Sequence, residues 1–268
     1  MRRSFAIPLL AALVALSGCT GQRGQTLEDI PTPASIDALA TAQVLTAVAP
    51  PEGFRDPINI PEVDANLQLL VGGHYRVHLE FEGVFSRTPR QTSAQADAEV
   101  WFNQAGGQRR VVVQTAGELL GREDNAFEAE RLNGDSYLVQ NGECLTQGVD
   151  ATTAAGLRAG TLVGGITRGV PAGQRATVNS QDVYRYDFST ADLNLPSIRL
   201  ADGGTVEATS GELWLSAEHN VVVRFYVNLN VTNAIIFDRA LPVDGQVILR
   251  YDLDSINQTT NITIPNGC

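Results

Sequence analysis

Two histidines, His74 and His78, have a spacing that could bind a metal ion, because residues four apart lie on the same face of a helix. In this chain His74 precedes the segment from Tyr75 to Phe81, and His78 lies within it. Every second residue of that segment is apolar. That alternation predicts a strand, on which the two histidines would lie about 13 Å apart. One ion cannot bridge that distance without a third group, so we expect a solvent-facing strand surface and no metal or other cofactor.

A pair of carboxylates, Glu80 and Glu82, follows on the same strand face. A catalytic carboxylate pair needs an enclosing site that separates the two pKa values, and the alternation places these on the polar side. The third histidine, His219, falls in a predicted turn, and neither an H-E-x-x-H nor a G-x-S-x-G motif occurs. We therefore do not expect an enzyme. A polar cluster inside the folded domain would reopen that possibility.

The charge composition excludes several further classes of protein. The chain contains no lysine, which rules out Schiff-base, Ser-Lys and P-loop chemistry. The net charge is -11, and arginines are scattered singly apart from Arg2-Arg3 and Arg109-Arg110. Because a nucleic-acid binder needs clustered cations, we expect no nucleic-acid partner.

The first residues predict export. Arg2 and Arg3 precede an apolar run, Ile7 to Leu16, that is too short for a stable membrane-spanning helix and is typical of a signal peptide. It ends in Leu16-Ser17-Gly18-Cys19, which resembles the bacterial lipobox. Residues 1–18 are thus predicted to be a lipoprotein signal peptide, with lipidation of Cys19.

The remaining two cysteines, Cys144 and Cys268, form an even pair once Cys19 carries lipid. In an oxidising compartment we expect a disulfide between them, with two free thiols as the alternative. Residues 19–61 are rich in Gly, Pro and polar residues and are predicted to be a tether with a possible short helix over 35–49. The folded domain is then predicted to span 62–268.

The domain itself is predicted to be mainly β (α+β). Strands are predicted from period-two segments or from apolar runs bounded by turn residues. A helix is possible over 63–71, and another is predicted over 150–163 with Asp150 as its N-cap. This gives eight to ten strands and two or three helices. The predicted strands are 75–81, 98–102, 110–114, 127–132, 137–140, 183–188, 211–216, 221–231 and 247–253.

The helices are too few to cover every apolar strand face. We therefore expect a curved antiparallel sheet that forms a half-open β-barrel closed by a few helices, with an apolar cavity on its concave side. The alternative is a barrel filled by its own side chains. The alternation assigns these residues to the cavity: Tyr75, Val77, Leu79, Phe81, Leu213, Leu215, Val223, Phe225, Val227, Leu249 and Tyr251.

The C-terminal hundred residues resemble the LolA/LppX-like superfamily of bacterial lipoproteins. The resemblance is carried by Gly169-Val170-Pro171 through Val183-Tyr184-Arg185-Tyr186-Asp187-Phe188, by Gly211-Glu212-Leu213-Trp214-Leu215 through Val221-Val222-Val223-Arg224, and by Tyr251-Asp252-Leu253 through Pro265-Asn266-Gly267-Cys268. It implies a half-open barrel closed by helices over an apolar cavity, in proteins that carry or sense lipids and acylated molecules. No residue-level binding set is carried over.

From these observations we expect a monomeric lipoprotein anchored through Cys19 on the extracytoplasmic side of a bacterial cell membrane. Its expected ligand is a lipid, a lipoprotein or another acylated molecule, bound without turnover. The alternative is an envelope module for protein–protein interaction or stress sensing that has no small ligand.

Overall fold

The computed structural model describes residues 51, 53–119, 125–237 and 241–268. The predicted signal peptide, Cys19, the tether up to residue 50 and the helix over 35–49 lie outside this part of the chain. In the described part, no helix is both long enough and apolar enough to cross a membrane.

One curved antiparallel sheet of 13 strands forms the molecule, and the sheet is not closed. The order along it is β1-β8-β9-β11-β12-β13-β2-β3-β4-β5-β6-β7, with β10 also paired to β8. The predicted fold class, a mainly β half-open barrel, is confirmed. The strands are β1 (Ile58–Ile60), β2 (Gly72–Phe85), β3 (Gln91–Asn103), β4 (Gln108–Ala116), β5 (Asn125–Leu132), β6 (Asp135–Gln140), β7 (Glu143–Thr146), β8 (Gly165–Val178), β9 (Gln181–Asp187), β10 (Leu193–Asn194), β11 (Ile198–Ser216), β12 (Val222–Ile236) and β13 (Val243–Asp254).

Two helical predictions need correction. The helix over 63–71 is instead a series of turns with a 3-10 helix at Leu67–Leu69, and β2 begins directly after it. The single helix over 150–163 is two short helices, α1 (Val149–Ala155) and α2 (Ala159–Val163). Gly156 ends α1, and the N-cap of α1 is Gly148 rather than Asp150, which lies in the first turn.

The sheet also extends beyond the predicted strands. Ile58–Ile60, which the sequence suggests is tether, pairs with β8, so the sheet begins four residues before position 62. β8 itself and the first half of β11 were not predicted. Both strands contain register shifts, next to Pro171 in β8 and between Leu200 and Thr205 in β11.

The two faces of the sheet have different chemistry. The residues that alternate inward along β2, β12 and β13 are buried, while their outward neighbours are polar or charged. The chain after β13 then crosses the ends of the first strands: Asn257 N–H donates to the Gly72 carbonyl, and the Asn103 amide donates to the Thr260 carbonyl at 2.7 Å. The predicted disulfide is present and joins Cys268 to Cys144 on edge strand β7, with the Cα atoms 5.2 Å apart.

β2 and β13 make one close backbone contact that excludes side chains. Gly83 and Gly245 lie directly opposite each other, and the Phe81 ring packs over both. A Cβ on Gly83 would lie 2.1 Å from the Asp244 carbonyl oxygen, and one on Gly245 would lie 2.2 Å from the Glu82 carbonyl oxygen. Backbone atoms of a sheet cannot move apart without breaking the ladder, so glycine is required at both positions.

We predict that Gly83→Ala lowers the free energy of unfolding by roughly 1–3 kcal/mol, because the added methyl must separate two paired strands. Urea unfolding followed by circular dichroism measures the change. Gly148→Ala is the control, since a Cβ there meets no atom closer than 4.0 Å. Equal loss in the two variants would contradict this role for Gly83.

Candidate functional site

The eleven predicted cavity residues come together on the concave face of the sheet. Paired registers place Tyr75 opposite Leu253 and Leu79 opposite Leu249, and Val227 is opposite Leu249 on the other side. Each of the eleven side chains is at most 3% exposed. In this conformation they pack against one another and against their cover, so a ligand can reach this face only if the cover moves. Ligand binding by these residues stays a prediction.

The cover over part of this face consists of α1, α2 and their connection, Gly156 to Arg158. α1 packs against β4, β5 and β6, and α2 packs against β2 and β13. The helices are short, and Ala151, Ala155, Ala159 and Val163 are their buried apolar side chains. These small side chains bury little area, so polar contacts at the connection contribute substantially to holding the cover.

One polar latch joins the cover to the sheet at the carbonyl of Leu157. The Tyr75 hydroxyl donates to this carbonyl at 3.3 Å, and the Arg109 guanidinium donates both to the same carbonyl and to the Tyr75 hydroxyl oxygen. Arg109 lies inward on β4, in the same alternation as Val111, which explains why a cation is found inside the barrel. We call these three groups the latch.

A second contact holds the other side of the connection. The Arg158 guanidinium pairs with Glu62 and, at 3.2 Å, with the buried carboxylate of Asp64. Burial opposes the charge of Arg158, but Asp64 and Glu62 outweigh it and raise the pKa of Arg158. The backbone adds a bond from Val63 N–H to the Gly164 carbonyl. The connection is therefore clamped between the sheet and the segment that precedes β2.

This group is a polar cluster inside the barrel, the feature that would reopen an enzymatic role. Burial raises the pKa of Tyr75 to about 12, with Arg109 opposing, and burial raises the pKa of Tyr251 well above its ordinary value. Both hydroxyls therefore stay protonated near neutral pH and can donate hydrogen bonds but cannot act as bases. Arg109 and Arg158 already form the contacts that hold the cover, so the arrangement of this cluster is that of a structural contact.

Two polar atoms of this cluster are buried without a hydrogen-bond partner among the described residues: the Tyr251 hydroxyl and Arg109 Nε. A buried polar group without a partner costs about 1–3 kcal/mol. Both atoms lie next to the latch, since the Tyr75 and Tyr251 rings are 5.6 Å apart. The interior thus offers unsatisfied donors next to an apolar surface.

The histidines and carboxylates considered first lie on the convex face. His74 stacks on Trp101 at 4.6 Å and pairs with Asp254 at 2.9 Å, while His78 pairs with Asp97 at 2.7 Å and with Glu80 at 3.3 Å. They are partly buried and hydrogen-bonded to carboxylates of the same or a neighbouring strand, rather than the freely solvated groups expected. In the described part of the chain, no three His, Cys, Asp or Glu side chains are grouped so as to hold a metal ion.

Further along the convex face, one carboxylate is buried. The Arg110 guanidinium stacks over Trp101. It lies 2.6 Å from the Glu128 carboxylate and 3.5 Å from the Glu130 carboxylate. The Glu130 side chain is 3% exposed, and its Oε2 has no hydrogen-bond partner within the described ranges. The C-terminal segment that ends at the disulfide carries two buried residues, Ile262 and Pro265, on this side of the sheet. Burial raises the pKa of Glu130 to about 7, Glu128 adds to the rise, and Arg110 opposes it.

No family model matches the chain, and no curated protein matches it. Among solved structures, the chain is similar to a domain described as an outer membrane lipoprotein-sorting protein from Vibrio parahaemolyticus, with 10% identity, 84% of this chain and 93% of that chain covered, and a TM-score of 0.21. It is also similar to a DUF1329 family protein from Desulfovibrio piger, with 9% identity, 76% and 95% coverage, and a TM-score of 0.20. Because both TM-scores are below 0.5, neither similarity decides fold or function.

We predict that Glu130→Gln stabilises the protein at pH 8 by about 2–3 kcal/mol and has little effect at pH 4. The pKa of Glu130 is higher in the folded than in the unfolded chain, so the folded state loses stability as pH rises from about 4.5 through 7. The amide removes that loss. Urea unfolding across this pH range measures it, with Glu82→Gln on an exposed carboxyl of the same face as the control. A pH-independent difference would contradict the assignment to Glu130.

We predict that Arg109→Gln opens the cover without unfolding the sheet. Hydrogen bonds to a charged group contribute roughly 1.5–3 kcal/mol, so amide exchange in α1 and α2 should accelerate roughly 10- to 100-fold while that of β12 and β13 is unchanged. Hydrogen exchange with mass spectrometry measures this. Arg131→Gln is the matched control, because Arg131 bonds an exposed turn carbonyl, that of Gly107. Uniform acceleration over the whole sheet would show global destabilisation instead.

Proposed function

We propose that this protein is a membrane-anchored extracytoplasmic lipoprotein that binds a lipid or another acylated molecule against the concave face of its half-barrel, as a carrier or sensor and without turnover. The observation that carries the proposal is the arrangement of the cover. α2 packs over the β2 and β13 part of a continuous apolar sheet face, and the connection between the two short helices is held by a few polar contacts at one point.

An apolar surface of this size must be kept out of contact with water. The concave faces of β2, β12 and β13 are lined by aliphatic and aromatic side chains, which must be buried against something. When the cover is closed they are buried by the protein itself. When it opens, an acyl chain can take its place at a gain of about 0.8 kcal/mol per buried methylene. Exchange between cover and ligand thus keeps the surface away from water in both states.

The latch contains hydrogen-bond donors that a ligand could use in this exchange. The carbonyl of Leu157 occupies the acceptor position between Arg109 and Tyr75. A polar group of an amphiphile, such as an ester or carboxylate oxygen, can occupy the same position once the connection moves away. The unsatisfied donors of Tyr251 and Arg109 lie within the same cluster. The proposed ligand therefore has an apolar chain and an oxygen-bearing head.

Lipidation of Cys19 is the second part of the proposal and rests on the sequence. A signal peptide that ends in Leu16-Ser17-Gly18-Cys19 supports an anchor, and residues 20–50 between Cys19 and the described domain supply a reach of many ångströms. Such an anchor would keep the domain near the membrane that contains its ligand.

The test uses the full chain, produced in a bacterial host and extracted with its membrane. We predict that native mass spectrometry finds a co-purified lipid on the wild-type protein. We also predict that a fluorescent fatty acid binds several-fold faster to Glu62→Gln, which loses the ion pair to Arg158 and leaves Arg109 and Tyr75 in place, than to wild type, while Arg131→Gln behaves as wild type. Repeated absence of any bound lipid, together with no binding of the fluorescent fatty acid to Glu62→Gln, would overturn the proposal.

A further inference from the structure

The connecting segments at one end of the sheet have almost no charged residues. The strand registers bring the start of β2, the end of β3, the start of β4 and the end of β7 to the same edge, together with the β8–β9 and β11–β12 turns. We call this edge the latch end, because Tyr75 and Arg109 lie within a few residues of it. Its connecting segments are 66–71, 103–108, 133–134, 145–149, 179–180, 217–221 and 255–260.

In these segments Glu218 is the single Asp, Glu, Lys or Arg, although such residues make up 18% of the chain and the net charge is -11. The segments are instead rich in Asn, Gln, Thr and Gly. The opposite end of the sheet is charged: its connections contain Arg87, Arg90, Glu118 and Asp192. The connecting segments at this end therefore contain few acidic residues, although Asp150 directly follows Val149 and the Glu62–Arg158 pair lies beside the latch.

The same end exposes large apolar side chains. Leu69 is 64% exposed and Val71 54% exposed in the segment before β2, Leu145 is 45% exposed on edge strand β7, and Val149, the first residue of α1, is 82% exposed. The segment before β2 and β7 are five strands apart, at most about 24 Å. Side chains spread this far over separate loops do not form one groove for a peptide, but they suit a flat surface.

We propose that the latch end docks on the headgroup region of a lipid bilayer, with Leu69, Val71, Leu145 and Val149 inserted at the boundary with the acyl chains. Because Glu218 is the single carboxylate of these connecting segments, docking them carries little of the desolvation cost of carboxylates and little of their repulsion from anionic lipids. The amides and hydroxyls of the segments can bond headgroups, and their apolar side chains gain burial. The inference rests on the proposed membrane anchoring and adds an orientation that an anchor alone does not give.

This orientation places the cover against the lipid. Val149 begins α1, and the latch lies at the same end, so the part of the protein that must move for a ligand to enter is the part that faces the bilayer. A lipid could then pass from the membrane to the concave face without crossing water.

The experiment uses full-length protein reconstituted in phosphatidylcholine vesicles that contain brominated acyl chains. Leu69→Trp and Val149→Trp place a fluorophore at the latch end, and Leu241→Trp is the matched control, since Leu241 is 60% exposed at the opposite end. The emission of the wild-type protein is subtracted from that of each variant, because it gives the contribution of Trp101 and Trp214. We expect quenching of roughly half or more of the added emission at 69 and 149, and little at 241.

Equal quenching at all three positions, or none at 69 and 149, overturns this proposal. The result is separable from the proposed function. Co-purified lipid without selective quenching removes the docking orientation alone, whereas selective quenching by a protein that carries no lipid removes the proposed lipid binding and leaves the docking surface in place.

Discussion

The rest of the structure depends on the need to bury one apolar face of a long antiparallel sheet. β12 alone presents Val223, Phe225, Val227, Leu229 and Val231 to the same side, and all are buried. Two short helices cannot cover such a surface, so the sheet bends over itself. The glycine pair at 83 and 245 permits close backbone approach where the bend is needed, and the register shifts in β8 and β11 let those strands follow it.

Period-two alternation was sufficient to predict a strand wherever one face of the strand is buried and the other faces solvent. It predicted β2, β3, β12, β13 and the second half of β11 and, through them, eleven of the buried residues of the concave face. It could not predict β8, where Gly169, Pro171 and Gly173 indicate a loop, because a bulge accommodates those residues only once neighbouring strands are in place. The helix over 150–163 was predicted as one because its alanines and leucines outweighed the local end signal of Gly156, which ends α1.

The latch was outside the reach of the sequence for a different reason. Arg109 belongs to a doublet in which one arginine must face inward and the other outward, and only the register of β4 decides which. The partner of Arg109 is a backbone carbonyl on a connection 48 residues away, and the partners of Arg158 precede it by more than 90 residues. Side-chain types carry no information on such pairings. The buried Glu130 was missed similarly, since the sequence does not show that its neighbours on β4 and β5, Arg110 and Glu128, leave its side chain only 3% exposed.

The division between the two faces limits what the molecule can do. On the convex face the charges are paired across strands, as in Arg224 with Asp252 and Arg110 with Glu128, so that face supports the curvature and leaves few groups free for a ligand. On the concave face the apolar side chains have no access except through the cover. Near the latch, the Tyr251 hydroxyl and Arg109 Nε are buried polar atoms without a hydrogen-bond partner in the described part of the chain, and they lie beside the apolar surface. The proposed ligand binding, the proposed opening of the cover and the proposed membrane docking therefore all involve the same end of the sheet, while the charges of the convex face are already paired with one another.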